Sequence, residues 1–381
     1  MIIFPNEIQK ALTNDMKITT LTPIQESAIP LILDDKNLIA LSETGSGKTL
    51  AFTLPLISKL IGASKRPTKA LIITPTKELA EQILTVSKKC ARYTNIISMS
   101  LYGGKSFTEQ VRDLKNGVHL IVACPGRLKD HIEKETIDLS GIETVVLDEA
   151  DQLMDMGFLP HLRFAMEATK NRKQTLLFSA TMSDEVKLLT EEFLTDAPTI
   201  EFKANKVKSV VEEVFCPISE ELRYPFIRFL LKHYKIKSTL IFTRTKEEAR
   251  SLGLLLKEDN YKASILEGDM TTHQRKKALD GLREKTINIM VATDIAARGL
   301  DIPHVTHIIN LNPPLNAESY IHRLGRTARH DKGGMAITIY LSDEKEEIEK
   351  ILKSQNKSLK PIKFRDFNYQ LKIEKRKLRL V

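Results

Sequence analysis

Cysteine is scarce here, with three in 381 residues, Cys90, Cys124 and Cys216, all far apart. An odd number at such spacing builds neither a disulfide framework nor a cysteine metal cluster, and it suits a reducing cytoplasm. Nowhere does the chain offer an apolar run of the ~20 residues that a membrane-crossing helix needs. The first residues, Met1-Ile2-Ile3-Phe4-Pro5-Asn6-Glu7, lack a basic stretch followed by an apolar one, so no signal peptide is expected. Strong charge is also missing from most of the chain. Net charge is +9, but in residues 351–381 ten Lys/Arg face only Asp366 and Glu374, a local excess of eight. The rest is nearly neutral. Such a tail fits a polyanionic partner or a solvated basic end.

What remains is ordinary globular composition, 42% hydrophobic and 28% charged. The length is generous for one core and comfortable for two. Apolar runs at residues 70–74, 96–101, 119–123, 144–147 and 175–178 alternate with helical stretches. After residue 210 the alternation resumes at 239–242, 264–266, 289–292, 306–309 and 336–340. Strands alternating with helices predict βαβ units and parallel sheets, an α/β fold. We expect a first domain over residues 1–203, a polar linker over 204–210, a second domain over 211–345 and a basic tail over 346–381.

The organising stretch is Ser42-Glu43-Thr44-Gly45-Ser46-Gly47-Lys48-Thr49, between the apolar run Leu38-Ile39-Ala40-Leu41 and the helix former Leu50-Ala51-Phe52-Thr53-Leu54. Strand, glycine turn, then Gly-Lys-Thr opening a helix is the layout of a phosphate-binding loop. Glycines let successive N–H groups turn inward, and the helix N-terminus adds partial positive charge. Lys48 is expected to reach the β/γ-phosphates of a nucleoside triphosphate, and the Thr49 hydroxyl to ligate Mg²⁺. Position 42 departs from the general pattern, which begins with Gly. No second phosphate loop occurs, so the second domain does not repeat the first.

Function gathers at the carboxyl ends of strands in open parallel sheets. Thr144-Val145-Val146-Leu147 empties into Asp148-Glu149-Ala150-Asp151. Asp148 is expected to hold Mg²⁺ through water, and Glu149 to orient and deprotonate an attacking water. Ser179-Ala180-Thr181 ends the next strand, where small hydroxyl residues also serve as helix caps. In the second half, Asn316 can cap a helix on which His322, Arg326 and Arg329 share one face, with Arg323 alongside. A salt-bridged face, a nucleic-acid patch, or arginines that close on the phosphates all fit that pattern. In the last case they would stabilise charge on the transferring phosphoryl group.

In this order these segments resemble the DEAD-box family of ATP-dependent RNA helicases, over residues 4–340. The resemblance implies two tandem RecA-like domains with ATP and RNA bound across the interdomain cleft, and an RNA-dependent ATPase. Thr22-Pro23-Ile24-Gln25 resembles the adenine-reading motif, with Gln25 on the base. Residues 42–49 are then the phosphate loop, Gly299 and Asp301 reach the ribose, and Arg326 and Arg329 stand at the arginine fingers, with His322 in the same motif. Ser179 and Thr181 resemble the motif that couples hydrolysis to strand separation. For RNA the resemblance implies Pro75, Thr76, Lys77, Gly104 and Arg127, then Thr243, Gly268 and Thr293. Recognition would be independent of sequence, by a cytoplasmic monomer of minimal bacterial type.

Several positions depart from the family pattern. Ile18 replaces the aromatic that stacks on adenine, Leu21 a proline, Ser42-Glu43 an Ala-Gln, and Lys77 an arginine. Cys124 replaces a threonine, Thr272 a glutamine and Ala328 a glycine. None removes a catalytic group. An ATP-gated RNA clamp and a DNA helicase are the competing classes.

Overall fold

Apolar runs of four to six residues rich in Val, Ile and Leu are too short for helices and become strands buried on both faces. In the computed structural model, which describes residues 2–42, 45–202, 211–234, 236, 238–297, 305–327 and 334–371, these runs assemble into two sheets. The chain divides into two compact units, Met1–Asn205 and Lys206–Val381. The expected linker at 204–210 lies outside the described residues.

Among the described residues, the first unit has strands β1 (Leu38–Ser42), β2 (Ala70–Ile73), β3 (Ser98–Leu101), β4 (Leu120–Ala123), β5 (Thr144–Asp148), β6 (Gln174–Ser179) and β7 (Thr199–Phe202). Their order is β3-β4-β2-β5-β6-β1-β7, parallel throughout. Alternate side chains feed two cores. Leu38, Ala40, Val146, Leu176 and Phe178 pack with Phe52 and Ile57 of the helix Lys48–Leu60. Ile39, Val145, Leu147 and Leu177 pack on the opposite face with Leu153, Leu162 and Leu189. Helices on both faces are what an all-parallel sheet requires.

The second unit has β8 (Val211–Pro217), β9 (Thr239–Thr243), β10 (Ala263–Leu266), β11 (Ile289–Thr293), β12 (His307–Asn310) and β13 (Gly334–Tyr340). Their order is β10-β11-β9-β12-β13-β8, again parallel. β7 and β8 were not anticipated. Both are sheet-edge strands: Thr199-Ile200-Glu201-Phe202 alternates exposed with half-buried positions, and Glu212 and Glu213 interrupt the apolar pattern of β8.

The segment after β13 packs on the same unit. The helix Lys345–Ser354 buries Ile348, Ile351 and Leu352 against Phe215, Tyr320 and Tyr340. Further on, Ile362 N donates to Phe215 O at 2.8 Å. Phe367 lies 4.9 Å from Phe226 and Phe364 5.5 Å from Phe229, ring centre to ring centre, both on the helix Arg223–His233. These aromatics therefore complete a core. Phe367→Ala should lower the unfolding free energy of this unit by about 3–5 kcal/mol, the usual cost of deleting a buried phenyl ring, which denaturant titration will read. Among the described residues no helix is long and apolar enough to cross a membrane.

Candidate nucleotide and nucleic-acid sites

Strand order sorts the candidate residues of the first unit into two groups at the carboxyl edge of the sheet. The phosphate loop begins at the last residue of β1, Asp148–Asp151 at the last residue of β5 and Ser179–Thr181 at the last residue of β6, and these three strands are adjacent as β5-β6-β1. Pro75-Thr76-Lys77 follows β2, Gly104 follows β3, and Arg127 follows β4, the adjacent trio β3-β4-β2. Register fixes the heights, since Leu41 pairs with Ser179 and Asp148 with Phe178.

At the first group, Gly45 and Gly47 have φ of +87° and +98°. Only glycine adopts such angles without strain. Gly47 also has no room for a side chain, because a Cβ there would collide with Gln25 Nε2 and come 2.9 Å from Thr22 Oγ1. Gln25 is buried, and its amide ties two segments together. Nε2 donates to Gly47 O at 3.1 Å, and Oε1 accepts from Thr22 N at 2.9 Å. The Ser42 and Ser46 hydroxyls bond across the loop at 2.9 Å. Ile18 and Leu21 rest half-buried on the first core. Thr49, at the second position of the helix, is half-buried. Glu43 and Thr44 lie outside the described residues.

Lys48 Nζ sits 3.2 Å from Glu149 Oε1, and both side chains are more than nine-tenths buried. Burial opposes a charge on Lys48, but Glu149, Asp148 and Asp151 outweigh it and raise its pKa. Burial, with Glu149 beside it, pushes the Asp148 carboxyl up to about 7 against the pull of Lys48. Asp148 Oδ1 is buried with no hydrogen-bond partner among the described residues. One lysine against three carboxylates leaves a deficit of positive charge, and an orphaned carboxylate oxygen fits a divalent cation. Among the described residues no set of three or more His, Cys, Asp or Glu could hold a metal alone. Glu149 has φ 51° and ψ 54°, a left-handed conformation that costs a non-glycine residue of order 1–3 kcal/mol and clusters at functional sites.

Asp151, given no separate role by the sequence, is the hub of the next contacts. Its Oδ2 accepts from Ala180 N at 2.9 Å and Thr181 N at 3.1 Å, while Asp151 N donates to Ser179 Oγ at 3.2 Å. Ser179 and Thr181 therefore join the two strand ends. The cap of the following helix, Asp184–Phe193, is Ser183 instead, which accepts from Val186 N. Gln152 was missed too, and donates to Glu149 Oε2 at 3.1 Å. A residue three positions after the glutamate, at the start of a helix, is the available signal for it.

In the second group, Thr76 Oγ1 caps the helix Lys77–Cys90 by accepting from Leu79 N, and Lys77 pairs with Glu78 at 3.9 Å. Arg127 donates to Lys105 O at 3.1 Å, next to Gly104, which turns with φ +94°. Burial pushes the Cys124 thiol up to about 12, so it is neutral at physiological pH.

In the second unit Thr243, Gly268 and Thr293 follow or end β9, β10 and β11, again adjacent strands at one sheet edge. Thr243 is fully buried and its hydroxyl donates to Thr245 O. The expected single helical face of His322, Arg326 and Arg329 is corrected. Asn316 caps the helix as expected, accepting from Ser319 N at 2.7 Å, but the helix Ala317–Leu324 ends before Arg326. Arg326 N bonds to Arg323 O, three residues back, and Thr327 Oγ1 is held by Val305 O, which turn the chain off the helix axis. His322, Arg323 and Arg326 are all buried. Arg323 forms a two-pronged pair with Asp294, 2.7 Å on each side, and donates to Asn310 Oδ1 and Asn312 O at 3.0 Å. Gly299, Asp301 and Arg329 lie outside the described residues, as does Ala328.

Two family models match the chain, DEAD/DEAH box helicase over residues 22–189 and helicase conserved C-terminal domain over residues 223–331. The chain is 38% identical over 350 residues to the ATP-dependent RNA helicase CshA of Listeria monocytogenes, covering 92% of this chain and 67% of that one. It is 40% identical over 331 residues to the DEAD-box ATP-dependent RNA helicase RhpA of Helicobacter pylori, covering 87% and 67%. Among solved structures, Mss116p bound to ssRNA and AMP-PNP aligns with a TM-score of 0.83 at 29% identity, over 94% of this chain and 76% of that one. S. cerevisiae Dbp5 bound to RNA and ADP BeF3 aligns with a TM-score of 0.77 at 29% identity, over 92% and 97%. The chain belongs to the DEAD-box family of ATP-dependent RNA helicases. Its two sheet units are RecA-like domains in tandem.

Proposed function

We propose that this chain hydrolyses ATP when RNA is bound and uses the cycle to open short RNA duplexes or remodel RNA–protein complexes. The observation that carries the reading is the buried Lys48–Glu149 pair at the phosphate loop, 3.2 Å apart and next to the Asp151 hub. Lys48 turns from Glu149 to the β/γ-phosphates when ATP enters. Thr49 and Asp148 are the residues that would hold Mg²⁺. When bound, the ion neutralises charge on the phosphate oxygens. Glu149 accepts the proton of the attacking water, Gln25 reads the adenine, and Gly299 and Asp301 serve the ribose. Arg326 and Arg329, with His322, stabilise charge on the γ-phosphoryl group.

RNA is held through phosphates and 2′-hydroxyls by Pro75, Thr76, Lys77, Gly104, Arg127, Thr243, Gly268 and Thr293, without sequence reading. Asp151, joined to both strand ends of the ATP side, links that chemistry to the RNA side through Ser179 and Thr181. Coupling of this kind is reciprocal, so RNA tightens ATP binding by the factor that ATP tightens RNA binding. We place the protein in the cytoplasm as a monomer.

Release of a labelled strand from a short RNA duplex tests the reading. ATP should speed release and a non-hydrolysable analogue should not sustain it, whereas release that ignores nucleotide contradicts it. Residues 372–381 carry Lys372, Lys375, Arg376, Lys377 and Arg379. Removing them should weaken RNA binding and flatten its salt dependence, by about 0.7 in log–log slope for each phosphate no longer neutralised. Unchanged affinity across a salt series excludes a role for them. The cut spares Phe364 and Phe367.

A further inference from the structure

We infer that Gln152 is a positioning residue for Glu149, holding one carboxylate oxygen so that the other is presented to the attacking water after Lys48 has moved to the phosphates. The inference rests on the reading of Glu149 as the base. Gln152 is fully buried on the helix Ala150–Asp155, one turn beyond Glu149. Its Nε2 donates to Glu149 Oε2 at 3.1 Å, while Lys48 pairs with Oε1 at 3.2 Å. The two carboxylate oxygens thus have different partners. One partner, Lys48, is required elsewhere when nucleotide arrives. The other belongs to the same helix as Asp151 and stays. A carboxylate accepts and does not donate, so the chemistry fixes which end of the amide faces it.

Stability alone does not explain a glutamine here. Its Oε1 is buried with no hydrogen-bond partner among the described residues. A buried unsatisfied acceptor costs about 1–3 kcal/mol, and an apolar side chain of similar volume would avoid that cost. The backbone of Gln152 adds a second tether, donating to Asp151 Oδ1 at 2.9 Å. The residue therefore touches the base with its side chain and the Asp151 hub with its main chain.

The test is Gln152→Met, which keeps the length and removes the donor. RNA-stimulated kcat should fall roughly ten- to a hundredfold, as when an orienting partner of a catalytic group is lost. KM for ATP should stay within about twofold, since ground-state binding is untouched. A wild-type kcat, or a rise in KM with kcat unchanged, overturns the proposal. In parallel, the side-chain amide protons of Gln152 in the wild-type protein should resonate downfield of exposed glutamines and move on Glu149→Gln. Amide protons that ignore Glu149→Gln overturn it, and this arm decides even if Gln152→Met does not fold. A wild-type protein that fails to hydrolyse ATP contradicts the proposed function instead, and leaves the amide resonance to judge the Gln152–Glu149 contact.

Discussion

Glu149→Gln lowers RNA-stimulated ATP hydrolysis by about 10²–10⁴-fold, the range for losing a positioned general base, while ATP still binds. The substitution keeps shape and removes the negative charge together with the ability to take a proton. Lys48 loses its nearest pair, but Asp148 and Asp151 also favour its charge, so the phosphate loop keeps its cation. The hydrogen bonds that Asp151 accepts from Gln152 N, Ala180 N and Thr181 N are on other atoms and survive, while the Gln152 Nε2 bond to Glu149 Oε2 is altered. Single-turnover hydrolysis read beside equilibrium ATP binding separates the two effects. A variant that loses binding and hydrolysis together would show that Glu149 acts by shaping the phosphate site.

Arg323→Ala costs about 3–5 kcal/mol of the stability of the second unit, because it takes the partner from the half-buried Asp294 carboxylate and from the fully buried Asn310 Oδ1. The guanidinium is 2% exposed, grips both oxygens of Asp294, donates to Asn310 and Asn312, and lies 4.9 Å over the Phe242 ring. Asn310 ends β12 and Phe242 lies on β9, so one side chain fastens the helix Ala317–Leu324 to two central strands. Arg323→Lys should recover little of the loss, since an ammonium cannot reproduce the planar fork or the stacking. Denaturant titration measures both variants. Wild-type stability with loss confined to hydrolysis would instead make Arg323 a member of the nucleotide site.

The parallel sheets were legible because central strands are buried on both faces and so read as unbroken apolar runs. β7 and β8 escaped because edge strands carry Glu201, Glu212 and Glu213 in place of such runs. The phosphate loop and Asp148-Glu149 were legible for a different reason. Gly47 tolerates no Cβ against Gln25, and a strand emptying into acids has few structural uses. The arginine face was misread because i, i+4 spacing assumes that the helix continues. The helix Ala317–Leu324 instead ends at its cap, Gly325, and Thr327 beyond it bonds to Val305 O, a partner 22 residues away. The roles of Asp151 and Gln152 rest on such long-range or burial-dependent contacts as well. The tail aromatics read equally well as stacking platforms or core, and Phe226 and Phe229 decide for core.

The most direct measurement is the rate of ATP hydrolysis with and without single-stranded RNA, with single-stranded DNA of the same sequence as the comparison. Strong stimulation by RNA and little by DNA is the predicted result. A rate indifferent to RNA, or raised equally by DNA, would contradict an RNA-dependent ATPase at the Lys48–Glu149 site.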